Sequence, residues 1–481
     1  MIAKRWIWIT AVFPFVLFTC LVAILQQHQP AAATLPDGAF VVRIYYDQIE
    51  QIDLLVEFDL WEFNNLEEQY VLVAVDQAAY ARLIAAGWRI EIDNDTSLQQ
   101  HQVLSSADFF YGYRTTDEIY TDLQNLTDRH PTLSERFVYG HSYCKQEGGC
   151  TTPGSNFNPG FDLQAIRITN EAIGGTSTLS GTTIISGTKP VFFLMANIHA
   201  REITTPELAM RMAEWLLDGY GTNPEATWLV DWHEVWIVPI VNPDGHWLVE
   251  LGMDYGGNPL YHRKNSNRSH GCTVWPSRAY SQFGVDLNRN HSFAWGGAST
   301  STASCNPLFR GPSAASEPEV AQLQTLVTSL IPDQRGPNLT DAAPENTTGI
   351  FITMHSYSEL VLWPWGHTSV DAPNRTGLQA IGDKLAALNG YTSCSPTTCL
   401  YAASGTSDDW AYGELGVPAF TFEVGTQFLP PYNEIDAIQW PDNGPALQYA
   451  AKIARNPYQL VRGPAVLTVT TAVSSTTHLT V

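Results

Sequence analysis

"VFFLMANIHAREITTPELAMRMAEWLLDGY", residues 191–220, passes from an apolar run through a polar turn into a helical pattern. "VFFLMANI" is short and almost wholly apolar, which predicts a strand buried on both faces. "TPELAMRMAEWLLDGY" repeats its apolar residues at helical spacing, with Thr205, Pro206 and Glu207 placed as N-cap, N1 and N2. The strand signature returns in "EVWIVPIV" (234–241), "IFITMHSY" (350–357) and "AFTFEV" (419–424), with helical patterns between. That alternation predicts an α/β domain whose sheet is covered by helices on both faces.

The turn in the opening stretch carries His199 and Glu202 three positions apart. Ligands of open α/β sheets bind beyond the carboxyl ends of the strands, where this loop falls. Catalytic zinc takes three protein ligands from histidine and carboxylate, and leaves one position open. A single H-x-x-E recurs by chance, so a third ligand is needed; His355, ending "IFITMH", is the candidate. "HEVWI" at His233 starts like a two-histidine zinc helix, but Ile237 stands in the second histidine's place and the run reads as a strand.

The chain has 481 residues, with 25 Lys+Arg against 48 Asp+Glu, a net charge of −23 that excludes nucleic acid and anionic membrane surfaces as partners. Lys4 and Arg5 precede an apolar run from Trp6 to Leu25, and Ala31 and Ala33 offer an A-x-A cleavage site. Residues 1–33 therefore read as a secretion signal. The run is also long enough to span a bilayer, so an uncleaved anchor is the alternative, and with it membrane contact. Outside that run stand Cys144, Cys150, Cys272, Cys305, Cys394 and Cys399. Sequence proximity pairs 144 with 150 and 394 with 399, and elimination pairs 272 with 305.

Residues 39–93 form a small α+β unit: strands in "FVVRIYY", "YVLVAV" and "WRIEID", and a helix in "DQAAYARLIAAG". A polar linker, 94–107, leads to the main domain, 108–457, and a Thr/Val-rich tail follows at 458–481. The main domain opens on "RTTDEIYTDLQNLTDRHP", where Thr115 or Thr116 caps an amphipathic helix that Pro131 ends.

The motifs "HARE" (199–202), "VNPDG" (241–245), "GVDLNRN" (284–290), "HSYSELVLWPWG" (355–366), "YAASGTSDDWAYGELG" (401–416) and "FTFEVG" (420–425) occur in an order that resembles the funnelin metallocarboxypeptidases, the carboxypeptidase A, B and T family. The resemblance covers residues 108 to 457 and implies a central mixed eight-stranded sheet, with one zinc ion held by His199, Glu202 and His355. It implies an enzyme that hydrolyses the last peptide bond of peptides and proteins; with the signal region it is expected to be secreted, and it is expected to be a monomer. Glu423 resembles the general base that takes a proton from zinc-activated water. Asn288 and Arg289 resemble the pair that binds the terminal carboxylate, Tyr401 the tyrosine that closes over the substrate, and Arg201 lines the same region. Asp408 falls at the specificity position, where an aspartate goes with C-terminal Lys or Arg. One departure stands out: in "HRKNSNR" the place of the second arginine of "RK-x-R" is held by Ser266, leaving Arg268, Arg201 or Arg263 to polarise the scissile carbonyl. The 39–93 unit resembles the family's pro-segment, with inhibition, folding assistance and permanent attachment all open. Trimming of cell-wall peptides, and peptide binding on an inactive scaffold of the same fold, are the rival functions.

Overall fold

Ser134–His141, Asp162–Ile168, Val191–Ala196, Glu234–Val238, Ile350–His355, Leu360–Leu362, Thr392–Cys394 and Ala419–Glu423 form the eight-stranded sheet in a computed structural model. It describes residues 39–101, 109–173 and 189–462, with short strands at 179–180, 183–184, 472–475 and 478–480. The signal region 1–33 lies outside the described residues, among which no helix is long and apolar enough to cross a membrane.

At the centre, Glu234–Val238, Val191–Ala196, Ile350–His355 and Ala419–Glu423 lie side by side and parallel; the strands flanking this group join it antiparallel, so the sheet is mixed. Every residue of those four strands is buried. Successive side chains point to opposite faces, so complete burial means that both faces are covered, as the apolar runs predict.

Thr115 is the cap of the first main-domain helix, Thr116–Arg129: its hydroxyl accepts from Glu118 N (3.3 Å), and Glu118 Oε2 accepts from Thr115 N (2.8 Å). Ile119, Leu123 and Leu126 turn its apolar face inward. The helix after the opening strand starts earlier than its cap signal suggested, at Thr204, with Ile203 at the N-cap. Thr205 lies inside it and spends its hydroxyl on the preceding loop, donating to Glu202 O (2.9 Å) and accepting from Asn197 N (3.0 Å).

The N-terminal unit is a four-stranded sheet carrying the helix Gln77–Ala85. Its strands Phe40–Tyr45, Tyr70–Val75 and Arg89–Ile92 match the sequence reading. A further strand, Asp59–Asn65, was not legible, because "DLWEFNN" mixes acidic and aromatic residues without a clear turn signal before it. The stretch 94–107 is helical in its first half, Asn94–His101, and 102–108 fall outside the described residues. The core reaches past 457 to Tyr458, which is 1% exposed, and the tail's described pieces pair as an antiparallel ladder. All three disulfides join the predicted partners: 144–150, 272–305 and 394–399.

Several buried carboxyls make stability depend on pH. Burial, with Asp244 and Glu317 nearby, pushes Glu319 up to about 8, although it accepts hydrogen bonds from Tyr143 N (2.7 Å) and Asn265 Nδ2 (3.2 Å). Burial likewise raises Glu250 to about 7 and Asp244 to about 6. A carboxyl raised in the folded state contributes stability fully below its unfolded pKa, and loses it as pH climbs to the folded value. Thermal unfolding is therefore expected at lower temperature at pH 8 than at pH 5. Glu319→Gln should flatten that fall by up to about 1.4 kcal/mol per pH unit within the window. An equal fall in both chains would show that Glu319 is ionised when folded.

Candidate active site

His199 and Glu202 sit in the loop after the strand Val191–Ala196, and His355 and Glu423 end the next two parallel strands, paired in register. The parallel arrangement brings all four to one sheet edge. The loop is tied by Asn197, whose Nδ2 donates to the carbonyls of His199 (3.2 Å), Ala200 (3.2 Å) and Glu202 (3.3 Å).

His199 Nδ1 lies 2.7 Å from Glu202 Oε1 and 3.1 Å from His355 Nδ1, and His355 Nδ1 lies 3.2 Å from Glu202 Oε2. Each of the three residues is no more than 1% exposed. Burial alone would raise the Glu202 carboxyl, but the two imidazoles hold it well below the usual range. Three groups with ligand atoms turned toward one another away from water offer a shared seat for a cation. Two imidazole nitrogens and one carboxylate suit zinc, whose bonds to such ligands are about 2.0–2.2 Å. Asp286 Oδ1 lies 3.3 Å from His199 Nε2, on the side away from the triad, and its Oδ2 accepts from Arg263 Nε at 2.9 Å. A carboxylate behind a ligating histidine fixes the ring and raises its basicity.

Glu423, Asn288, Arg289, Tyr401, Asp408, Arg263 and Glu62 line one pocket with His199 and His355. Glu423 is raised well above the usual carboxylate range, by burial first and by Glu202 and Glu62 next, and its Oε2 has no partner among the described residues. Asn288 Oδ1 accepts from Ser407 N (2.9 Å). Arg289 is fixed at the wall by bonds from Nε to Ser299 O (2.8 Å) and from Nη1 to Asn288 O (2.9 Å). Gly405, at φ +70, lets the segment between Tyr401 and Asp408 pass Arg289: a Cβ there would stand 2.5 Å from the Arg289 carbonyl oxygen. Asp408 is buried at the start of the helix Ser407–Leu415; burial first and Asp409 second raise its carboxyl, which accepts from Asp409 N (2.9 Å) and Thr421 Oγ1 (3.0 Å).

The arginines divide differently from the sequence expectation. Arg268 turns away from the pocket, its Nη1 donating to Thr151 O and its guanidinium 5.9 Å from the Phe283 ring. Arg263 stands in the pocket instead, and its Nη2 is buried without a partner among the described residues. Ser266 itself is buried and does not line the pocket. Arg201 is buried beside it, 4.3 Å over the Phe428 ring.

Two groups at the site escaped the sequence reading: Asp286 behind His199, and Glu62 in the pocket lining. Asp286 was within reach, two positions before Asn288 in "GVDLNRN". Glu62 had no local signal. It comes from the N-terminal unit's strand Asp59–Asn65 and accepts from Arg263 Nη1, with its other oxygen 3.5 Å from Arg201 Nη2. Asp59 Oδ2 lies 3.4 Å from Arg201 Nη1, and Trp61 packs on Phe428 with ring centroids 5.1 Å apart.

Comparison with known proteins agrees with this geometry. The family model Peptidase_M14, described as zinc carboxypeptidase, matches residues 119–440. Carboxypeptidase A2 of Rattus norvegicus is 26% identical over 400 residues, 81% of this chain and 78% of the relative. A zinc carboxypeptidase of Saccharothrix mutabilis subsp. capreolus is 28% identical over 428 residues, 84% of this chain and 86% of the relative. The crystal structure of carboxypeptidase A from Helicoverpa armigera shares the fold, with a TM-score of 0.65 at 20% identity over 87% of this chain and 98% of that one. The matched span holds every residue of the His–Glu–His cluster and Glu423. The chain belongs to the Peptidase_M14 zinc carboxypeptidases, metallohydrolases that act on peptide bonds.

Proposed function

We propose that His199, Glu202 and His355 hold one zinc ion, and that the enzyme removes single C-terminal residues, preferring Lys and Arg, from peptides and proteins outside the cell. The observation that carries this reading is the convergence of that cluster, an unpartnered buried carboxyl at Glu423 and a buried unpartnered guanidinium nitrogen on Arg263 in one pocket. A zinc ion there would polarise a carbonyl and lower the pKa of water.

The protein's own groups divide the remaining work. Glu423 takes a proton from the attacking water on its unpartnered Oε2 and returns it to the leaving amine. Arg263 Nη2 donates to the oxygen on which negative charge develops, a role that costs on the order of 100- to 1,000-fold in rate when lost. Asn288 and Arg289 bind the free terminal carboxylate, which restricts cleavage to chain ends. Tyr401 covers the bound residue, and Asp408 faces its side chain. Every group comes from one chain, so a monomer suffices. The three disulfides fit an oxidising compartment.

The N-terminal unit acts as an inhibitor while attached. Its Glu62 binds Arg263 through Nη1, beside the Nη2 that the substrate's oxygen would use, so its carboxylate stands where substrate must enter, and Trp61 packs on Tyr261, Tyr357 and Phe428. The cell-wall alternative keeps the same metal chemistry; the Asn288–Arg289 clamp favours an ordinary free C-terminus. A binding scaffold would have no use for Glu423 beside the metal.

The test is hydrolysis of matched blocked dipeptides ending in Arg, Lys, Phe or Leu, by zinc-loaded protein with residues up to the 102–108 stretch attached or cut away. Cutting is expected to raise kcat/KM by at least about tenfold, since a competing group leaves the pocket. Turnover should favour Arg and Lys. Equal activity before and after cutting would remove the inhibitory role, and turnover of none of the four would remove the enzyme reading.

A further inference from the structure

The pocket wall that carries Pro396, Leu400 and Tyr401 hangs from the edge of the sheet. Cys394 ends the edge strand Thr392–Cys394, opposite Leu362, and its carbonyl accepts from Trp363 N (3.2 Å). The chain then makes the short helix Pro396–Cys399, and Cys399 is bonded back to Cys394 with Cα atoms 6.2 Å apart. Leu400 and Tyr401 follow at once, and the next anchor on the main domain is Ala403 N to Gly366 O (2.9 Å).

Between those anchors the backbone bonds are local, Thr398 N to Ser395 O (2.9 Å) and Leu400 N to Pro396 O (2.8 Å). The bond that reaches this segment from another element comes from the N-terminal unit: Asn64 Nδ2 donates to Leu400 O (2.9 Å), while Asn64 Oδ1 accepts from Tyr46 Oη (2.7 Å). Among the described residues, two bonds thus brace the stretch between those anchors, one covalent and one from the N-terminal unit, which the proposed activation removes.

We propose that the Cys394–Cys399 disulfide is a positioning clasp for the specificity pocket, keeping Leu400 and Tyr401 in place once the grip of Asn64 is gone. The proposal rests on the reading of this pocket as the seat of the substrate's C-terminal residue. A loop held in its bound conformation by a cross-link pays less ordering entropy when ligand arrives, so the clasp acts on binding rather than on the chemical step. Its role is separate from that of Cys144–Cys150, whose residues do not line the pocket.

The test uses four full-length, zinc-loaded chains: the native sequence, Asn64→Ala, C394S/C399S, and the combination, with C144S/C150S as a control for loss of a short disulfide. Amide hydrogen exchange is read over 395–403, with the central strand 191–196 as internal reference. KM and kcat are measured on blocked dipeptides ending in Arg and in Ala. In the combined chain, exchange over 395–403 is expected to rise about tenfold while 191–196 is unchanged. Relative to Asn64→Ala, KM for the Arg substrate should rise about tenfold, with kcat within about twofold and a smaller change for Ala. The control should leave both KM values as they were. Native exchange over 395–403 in the combined chain overturns the clasp, as does raised exchange with KM unmoved or with loss confined to kcat. If the native chain hydrolyses neither substrate even after the N-terminal unit is cut away, the functional reading fails, and exchange alone decides whether the bond holds the wall.

Discussion

Replacing Glu423 by Gln is expected to lower kcat by about 100- to 10,000-fold, the usual share of a positioned general base, with KM little changed. The amide keeps the shape of the side chain but cannot take a proton from water. None of His199, Glu202 and His355 is altered, so zinc should still bind at one ion per chain by metal analysis. Removal of that ion with a chelator should abolish turnover in the native enzyme, and added zinc should restore it. Burial already disfavours a charge at Glu423, so a neutral isostere is expected to fold as well as the native residue. A Glu423→Gln enzyme that keeps its zinc and its full kcat would show that another group handles the proton.

Asp408→Ala is expected to lower kcat/KM for Arg and Lys substrates by about two orders of magnitude, while Leu and Phe substrates change by less than about tenfold. The pocket carboxylate has hydrogen bonds from Asp409 N and Thr421 Oγ1 and, among the described residues, no ion pair with a cationic side chain. A substrate guanidinium or ammonium left buried without its counter-ion costs about 3–5 kcal/mol. The pH dependence carries a second signature. Burial raises the Asp408 carboxyl, so as pH falls through that raised value the pocket becomes neutral and KM for Arg substrates should rise. The variant should lose that acid limb. Native preference for Phe or Leu would keep the enzyme and remove Asp408 as the determinant of basic specificity.

The His–Glu–His cluster was legible from local pattern plus one topological rule, and Glu423 from the resemblance of "FTFEVG" to the family's motif. His199 and Glu202 follow an apolar strand, His355 and Glu423 end two more, and buried parallel strands put their carboxyl ends at one edge. The cap of the helix Thr204–Asp218 was misread because Thr205 had a competing use, tying the metal loop through Asn197 N and Glu202 O. Local propensity proposed a cap, and the tertiary demand of the loop took the hydroxyl.

Apolar runs of strand length, helical spacing between them, and paired cysteines close in sequence were enough for the sequence by itself to determine the α/β sheet, the disulfide pairs and the identity of the cluster residues. Burial and short-range closure act on neighbours along the chain, so their pattern is written there. Only the tertiary structure decided which arginine faces the pocket. The segment around 261–291 has almost no regular structure, and its path is set by distant bonds: Lys264 Nζ to Ser304 O and Asn306 O (2.8 Å each), and Asn265 Nδ2 to Glu317 (2.8 Å). Those bonds bring Arg263 inward and leave Arg268 at Thr151. Only the tertiary structure, too, set Glu62 against Arg263, 201 positions away, because a contact between two folded surfaces leaves no periodicity in either segment.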